Sequence, residues 1–190
     1  MKQAERKVVL HAGEYCFTSA GTHVHTLLGS CISITLWHPE LKIGGMCHFA
    51  LPERTSNGTG IGNGIGTIAA QPRKLDPRYA EDCIALFLRS VRRNKTDITE
   101  YEAKIFGGGN MYEKYPSVDI GMVERLPVGE KNTLAAFTLL TELSVDIAVA
   151  HVGEFGYRRI IFDVATGDVW VKFKPIGPGA GDQRSLSGRN

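Results

Sequence analysis

The sequence of 190 residues contains no long apolar run and carries almost no net charge. No stretch approaches the roughly 18 consecutive apolar residues that a membrane-spanning helix needs, and residues 1–7 lack the apolar core of a signal peptide. A formal charge of +2 provides no electrostatic reason to bind nucleic acid or an anionic membrane surface. We therefore expect a cytoplasmic protein with no nucleic-acid partner and no membrane insertion.

Paired cysteine motifs are also missing, which bears on metals and disulfides. The four cysteines show no CxxC spacing, so a zinc ribbon is not expected. Without an export signal they are predicted to be free thiols in a reducing compartment, and we expect no metal and no cofactor. One metal alternative stays open, because His23 and His25 alternate on a predicted strand and would share a face near Cys31.

What the sequence does contain is a cysteine at a tight turn, followed by a histidine on the next apolar run. Gly29 and Ser30 form the predicted turn, Cys31 lies at the start of the strand that follows, and His48 lies on the second apolar run. Thiolate attack on a carbonyl needs these two side chains together, a sulfur that ionises and an imidazole that takes and returns its proton. The alternative is a small buried cysteine and a structural core histidine.

The spacing predicts that the two runs form an antiparallel hairpin with its turn at residues 38–41. The predicted register pairs Trp37 with Lys42, Ile34 with Gly45 and Cys31 with His48. Directly opposed residues share a face, with Cβ atoms about 4.5–5.5 Å apart. A slip of one residue would place the thiol and the imidazole on opposite faces.

The remaining pattern predicts an α+β fold of many short strands and two helices. The first helix is predicted to run to Arg92 with Asp76 as its N-cap and Pro77 as its first residue. The second is predicted at residues 133–143, and a hairpin joins residues 159–164 to 168–173. We expect one domain over residues 1–176 and a disordered tail over 177–190.

Two glycine-rich stretches leave their roles open. Residues 56–66 do not fit a phosphate-binding loop and are predicted to form a surface loop or a lid beside His48. Gly107 and Gly108 follow a predicted strand, where they would either line a cleft or make a tight turn.

Thr-Leu-Leu-Gly-Ser-Cys at 26–31 and Gly-Gly-Met-x-His-Phe-x-Leu-Pro at 44–52 resemble the CheD family of chemoreceptor glutamine deamidases. The resemblance extends over roughly residues 8–174. It implies mixed β-sheets with flanking helices in an α/β/β/α sandwich, similar to cytotoxic necrotising factor-type cysteine hydrolases. It also implies a protein-glutamine glutaminase that converts glutamines of methyl-accepting chemotaxis receptors to glutamate through a thioester, releasing ammonia. The CheC phosphatase is an implied partner.

The family pattern assigns roles to individual residues. Cys31 would be the nucleophile, with its thiolate stabilised by His48, and Thr26 would orient that histidine. Some members carry one more residue between the threonine and the cysteine, which would place their threonine on His25. Backbone N–H groups at Gly29 and Ser30 would hold the oxyanion.

Three other functions stay open beside the deamidase. One is a non-catalytic regulatory module that binds receptors or CheC. The others are a cysteine protease and a transglutaminase, which use the same thioester chemistry. His151 is a weaker candidate base than His48, because no strand turn pairs it with a cysteine.

Overall fold

The structure, a computed structural model, describes residues 5–54, 74–111 and 126–176. The glycine-rich stretch 56–66 and the tail 177–190 lie outside these ranges. The described chain forms nine strands and two α-helices. In chain order they are β1 Arg6–Leu10, β2 Glu14–Ser19, β3 Thr22–Leu28, β4 Ile32–His38, β5 Ile43–His48, α1 Ala80–Arg93, β6 Glu102–Gly107, α2 Val128–Glu142, β7 Asp146–Val152, β8 Gly156–Asp163 and β9 Val169–Pro175.

The strands form two mixed sheets. The four-stranded sheet has the order β1-β3-β8-β9, in which only β1 and β3 are parallel. The five-stranded sheet has the order β2-β5-β4-β6-β7, in which only β6 and β7 are parallel. Consecutive strands β3 and β4 belong to different sheets, so the chain crosses between the sheets at residues 29–31.

Two apolar cores define the layers. One lies between the sheets, and includes Val24, Leu28, Met46, Phe106 and Phe162. The other lies between the five-stranded sheet and both helices, and includes Ile34, Leu36, Cys47, Ile84, Phe87 and Leu140. Strand β4 is buried along nearly its whole length because it is covered on both faces. Strand β8 alternates buried with more exposed residues, because only one of its faces is covered.

The predicted α+β class with mixed sheets is confirmed. Both helices bury their apolar faces on the five-stranded sheet, which gives an α/β/β order for the described residues. The second helical layer of the predicted α/β/β/α sandwich is not formed by any described residue. None of the described helices is long and apolar enough to cross a membrane.

The predicted hairpin of β4 and β5 forms, but its predicted register is wrong. Leu36 pairs with Gly45 and His38 with Ile43, and a backbone bridge between Ile32 and Phe49 continues the same register. The turn therefore holds four residues, 39–42, and Lys42 adopts a left-handed φ of 52°. A two-residue Pro-Glu turn would have required positive φ at a proline, whose ring forbids it.

The first helix begins later than its sequence predicts. Its N-cap is Tyr79, which makes no side-chain cap, and not Asp76. The Asp76 carboxylate instead accepts hydrogen bonds from the backbone and guanidinium of Arg78. A competing local ion pair has therefore replaced the predicted cap. The second helix runs over Val128–Glu142, so residues 128–132, which the sequence predicts to lead into it, form its first turn.

Candidate active site

The crossing between the two sheets places Cys31 at the edge of the layer that separates them. Leu28 ends β3 in the four-stranded sheet, and Ile32 opens β4 in the five-stranded sheet. Cys31 is half-buried, and its side chain packs against the core between the sheets. The Cys31 side chain is therefore supported by both sheets and remains partly accessible to solvent.

His48 lies on the same side of the five-stranded sheet as Cys31. The observed register places it one diagonal step from Cys31, because the register is displaced by two residues relative to the prediction. A shift of two preserves the face, since side chains alternate with a period of two. Its neighbour Cys47 points to the opposite side, into the helix-facing core, as the alternation predicts.

Thr26 contacts His48 across the gap between the sheets. Its Oγ1 lies 2.8 Å from Nδ1 of His48 and 2.8 Å from the backbone carbonyl oxygen of Leu10. A hydroxyl has one proton, and a carbonyl oxygen only accepts. Thr26 therefore donates to Leu10 and accepts from Nδ1–H of His48. This network assigns the Nδ1-protonated tautomer and leaves the Nε2 lone pair free.

His48 and Cys31 line the same cavity, although no hydrogen bond joins the two side chains within the described chain. Nε2 is buried and has no hydrogen-bond partner within the described chain. Thr26, Cys31 and His48 line one cavity of about 610 Å³, and its rim carries the cationic side chains of Lys7 and Arg159. A group held in this cavity would meet the nucleophile and an unprotonated base together.

The electrostatics of the pair favour neutral forms at rest. Burial raises the pKa of the Cys31 thiol above its usual 9.0. Burial also lowers the pKa of His48 to about 4. At neutral pH the resting pair is therefore a thiol beside a neutral imidazole. The family resemblance implies a thiolate stabilised by His48, and desolvation of both side chains opposes those charged forms.

Three hydrogen bonds hold the carbonyl groups of the Cys31 turn. The carbonyl oxygen of Gly29 accepts from the N–H of Gly109 at 2.8 Å, and that of Cys31 from the N–H of Gly108 at 2.9 Å. The carbonyl oxygen of Ser30 accepts from Nδ2 of Asn132 at 3.1 Å. Among the described hydrogen bonds, the N–H groups of Ser30 and Cys31 donate to no other residue.

Gly107 and Gly108 contact the backbone of Cys31 and are not among the residues lining the cavity. Their φ angles are 113° and 65°, values that side chains other than hydrogen rarely allow. A Cβ at Gly107 would collide with the carbonyl oxygen of Cys31. The glycine turn thus fits closely behind the crossing at residues 29–31.

Comparison with known proteins identifies the family. Residues 67–173 match the family model described as CheD chemotactic sensory transduction. The chain is 38% identical over 174 residues to a probable chemoreceptor glutamine deamidase CheD of Pseudomonas fluorescens, covering 90% of this chain and 86% of that protein. It is also 38% identical to a probable chemoreceptor glutamine deamidase CheD 2 of Albidiferax ferrireducens, covering 94% of each.

The chain belongs to the CheD family. The resemblance indicated by its motifs is thereby confirmed. A more distant relative, a probable chemoreceptor glutamine deamidase CheD 1 of Leptospira interrogans, is 31% identical over 163 residues.

The other histidines of this CheD chain are placed differently from His48. His23 lies between the carboxylates of Glu5 and Asp163, and His151 accepts a hydrogen bond from Nε of Arg158 at 2.8 Å. His25 lines the cavity. Among the described residues, no group of three or more histidine, cysteine, aspartate or glutamate side chains is arranged to hold a metal ion.

Asn132 is the site residue that sequence reasoning missed. It is fully buried on α2, where the other buried residues of the helix are apolar or glycine. The available signal was this interruption of an apolar stripe by an amide, because buried polar side chains are retained only with hydrogen-bond partners. The sequence alone does not say that the partners are the carbonyl groups beside the nucleophile.

Proposed function

We propose that this CheD family member is a protein-glutamine deamidase that converts glutamine side chains of chemotaxis receptors to glutamate. One observation carries the proposal. Thr26 holds His48 in the tautomer whose Nε2 is unprotonated, and Thr26, His48 and Cys31 line one cavity. The family supplies the reaction, since its curated members are named as probable chemoreceptor glutamine deamidases.

The first half of the reaction forms a thioester. Nε2 of His48 takes the thiol proton while the sulfur of Cys31 attacks the side-chain amide carbon of the glutamine. The amide oxygen becomes an oxyanion and accepts from backbone N–H groups of the turn formed by Gly29, Ser30 and Cys31. The tetrahedral adduct collapses when the imidazolium of His48 protonates the departing nitrogen as ammonia.

The second half releases glutamate. Neutral His48 then takes a proton from water, whose oxygen attacks the thioester carbon. The carbon–sulfur bond breaks, the sulfur recovers a proton from His48, and the carboxylic acid left on the substrate releases its remaining proton to solvent as a carboxylate. Each turnover adds one negative charge to the receptor, which alters the electrostatics between neighbouring helices.

The proposal is tested by incubating the protein with a cytoplasmic receptor fragment. We expect mass spectrometry to show shifts of about +1 Da at glutamines, since NH₂ is exchanged for OH on an acyl intermediate, together with ammonia release. Cys31→Ala and His48→Ala abolish both, whereas Cys16→Ala, which alters a cysteine outside the cavity, retains them. Ammonia release by folded Cys31→Ala protein would overturn the assignment.

The same experiment separates the rival functions. A cysteine protease would leave cleaved backbone, and a transglutaminase would incorporate an added amine where the deamidase adds water. A non-catalytic module would bind the fragment and leave its mass unchanged.

The finer parts of the assignment rest on the family resemblance. We propose a cytoplasmic protein with one domain over residues 1–176, related in fold to the cytotoxic necrotising factor-type hydrolases. We also propose association with the CheC phosphatase, tested by co-purification of the two proteins.

A further inference from the structure

We propose that Asn132 is a positioning residue that aims the N–H of Cys31 at the developing oxyanion. This inference rests on the proposed function for its chemistry, since both concern acyl transfer at Cys31. It adds a specific role for a side chain on α2 that does not line the cavity.

The amide of Asn132 joins two segments of the site. Its Nδ2 donates to the carbonyl oxygen of Ser30 at 3.1 Å and to that of Ala50 at 2.9 Å. Ser30 precedes the nucleophile, and Ala50 lies two residues beyond His48. Both partners are carbonyl oxygens, so only the NH₂ end of the amide satisfies them.

Because Asn132 is buried, its two hydrogen bonds fix the positions of the Ser30 and Ala50 carbonyl groups. The side chain is 0% exposed, and its Oδ1 has no hydrogen-bond partner among the described residues. Burying an amide with an unused acceptor costs free energy that an apolar residue would avoid. The cost is offset by satisfying two carbonyl groups that would otherwise lie buried beneath the helix.

The direction of the Cys31 N–H follows from the planarity of the peptide. The described chain has no cis peptide bonds, so the carbonyl of Ser30 and the N–H of Cys31 point in opposite directions. Asn132 draws the carbonyl toward the helix side of the five-stranded sheet. The N–H therefore points toward the side between the sheets, where Thr26 contacts His48.

The amide of Asn132 reaches these carbonyl groups because α2 packs closely against the glycine loop at residues 107–109. A Cβ on Gly129 would lie 2.6 Å from the carbonyl oxygen of Gly108, so a glycine is required for the helix to meet the loop at this distance. Asn132 follows three residues later on the same face. Helix α2 thus contacts both the glycine loop at residues 107–109 and the turn at residues 29–31 that this loop supports.

Two reactions of the same sulfur separate positioning from general support. Acylation of Cys31 by a nitrophenyl ester passes through a tetrahedral oxyanion, whereas alkylation by iodoacetamide displaces iodide at a saturated carbon and forms no oxyanion. In the acylation, the new carbon–sulfur bond replaces the bond to nitrophenolate, and the thiol proton passes to His48. Only the first reaction benefits from an aimed N–H.

The test compares Asn132→Leu, which keeps the branching at Cγ and removes the donor, with wild type. We expect acylation of Cys31 to slow by about 10²-fold, the typical effect of a lost oxyanion donor, while alkylation stays within about twofold. With the receptor fragment, kcat falls and KM is retained. Background labelling is subtracted with Cys31→Ala.

Leu140→Ala is the control for destabilisation, because Leu140 is buried on the same helix in the helix-facing core. It is expected to lower the melting temperature and leave the ratio of acylation to alkylation unchanged. Unchanged acylation in Asn132→Leu, or equal losses of both rates, would overturn the inference. Absence of deamidation by wild type would overturn only the proposed function, since the two rates are measured without the receptor.

Discussion

At the scale of single residues, one hydroxyl proton decides what His48 is able to do. Thr26 has a single proton to donate, and the carbonyl oxygen of Leu10 takes it. The imidazole must then be the donor to Thr26, which leaves its other nitrogen unprotonated. Orientation and tautomer are thus set by the same contact.

Replacing Thr26 with valine removes the acceptor for Nδ1–H and keeps the size of the side chain. We expect kcat to fall by about 10–100-fold, as is typical when the group that orients a functional histidine is lost. Thr26→Ser retains the hydroxyl and is expected to stay near wild type. Ammonia release measured on both variants checks this, and wild-type turnover by the valine variant would remove Thr26 from the site.

The neutral resting pair predicts an unusual pH dependence. Burial lowers the pKa of His48 to about 4, so the base is available across neutral pH and kcat/KM should lose activity only in the acid range. Burial raises the pKa of Cys31, so its alkylation rate should still be rising above pH 9. A plateau in alkylation reached below neutral pH would instead indicate a thiolate–imidazolium pair.

At the scale of elements, the glycine turn after β6 behaves as a support for the nucleophile. Gly107→Ala forces a Cβ against the carbonyl oxygen of Cys31, a backbone atom that has little freedom to move. We expect a lower melting temperature and a loss of at least about 10²-fold in kcat, because displacement of a reacting group by about 1 Å costs that much.

Gly21→Ala is the matched control for that substitution. Gly21 also has a positive φ, 87°, but a Cβ there would meet nothing within 4 Å. The backbone strain of roughly 1–2 kcal/mol should appear as lost stability with activity retained. Equal activities of the two variants would show that the glycine turn does not position Cys31.

The hairpin shows which part of an element the sequence determines. The alternation of side chains placed Cys31 and His48 on one face, and that result survives the register error because the error is two residues. The register itself depends on the turn, and a loop of four residues was not distinguished from a tighter turn by composition. The predicted N-cap of α1, Asp76, was wrong for a related reason, since Arg78 competes for the Asp76 carboxylate.

At the scale of the whole molecule, the site exists because β3 and β4 belong to different sheets. Strand order is set by the burial of distant segments, such as β8 beside β3, and no local pattern specifies it. The family motifs supplied the candidate residues, and the pattern of strands and helices supplied the α+β class, without this topology. The contact of Thr26 with His48 and the hydrogen bond from Asn132 to Ser30 depend on this topology, so they are seen only in the folded chain.

Burial of neutral His48 also makes the stability of the fold depend on pH. Between its ordinary pKa of 6.5 and its folded value of about 4, the unfolded chain binds a proton that the folded chain does not. The free energy of unfolding is therefore expected to fall as pH decreases through this window, by up to a few kcal/mol. Urea denaturation of wild type and His48→Gln checks this, and equal pH slopes would contradict it.

The central claim is that the Cys31 sulfur carries the acyl group during turnover. Acid quenching during the first turnover with excess receptor fragment, followed by peptide mapping, measures this directly. We predict a fragment-derived thioester on Cys31 that accumulates in wild type and disappears as glutamate forms. Glutamate formation without any adduct on Cys31, or an adduct confined to another cysteine, would contradict the account.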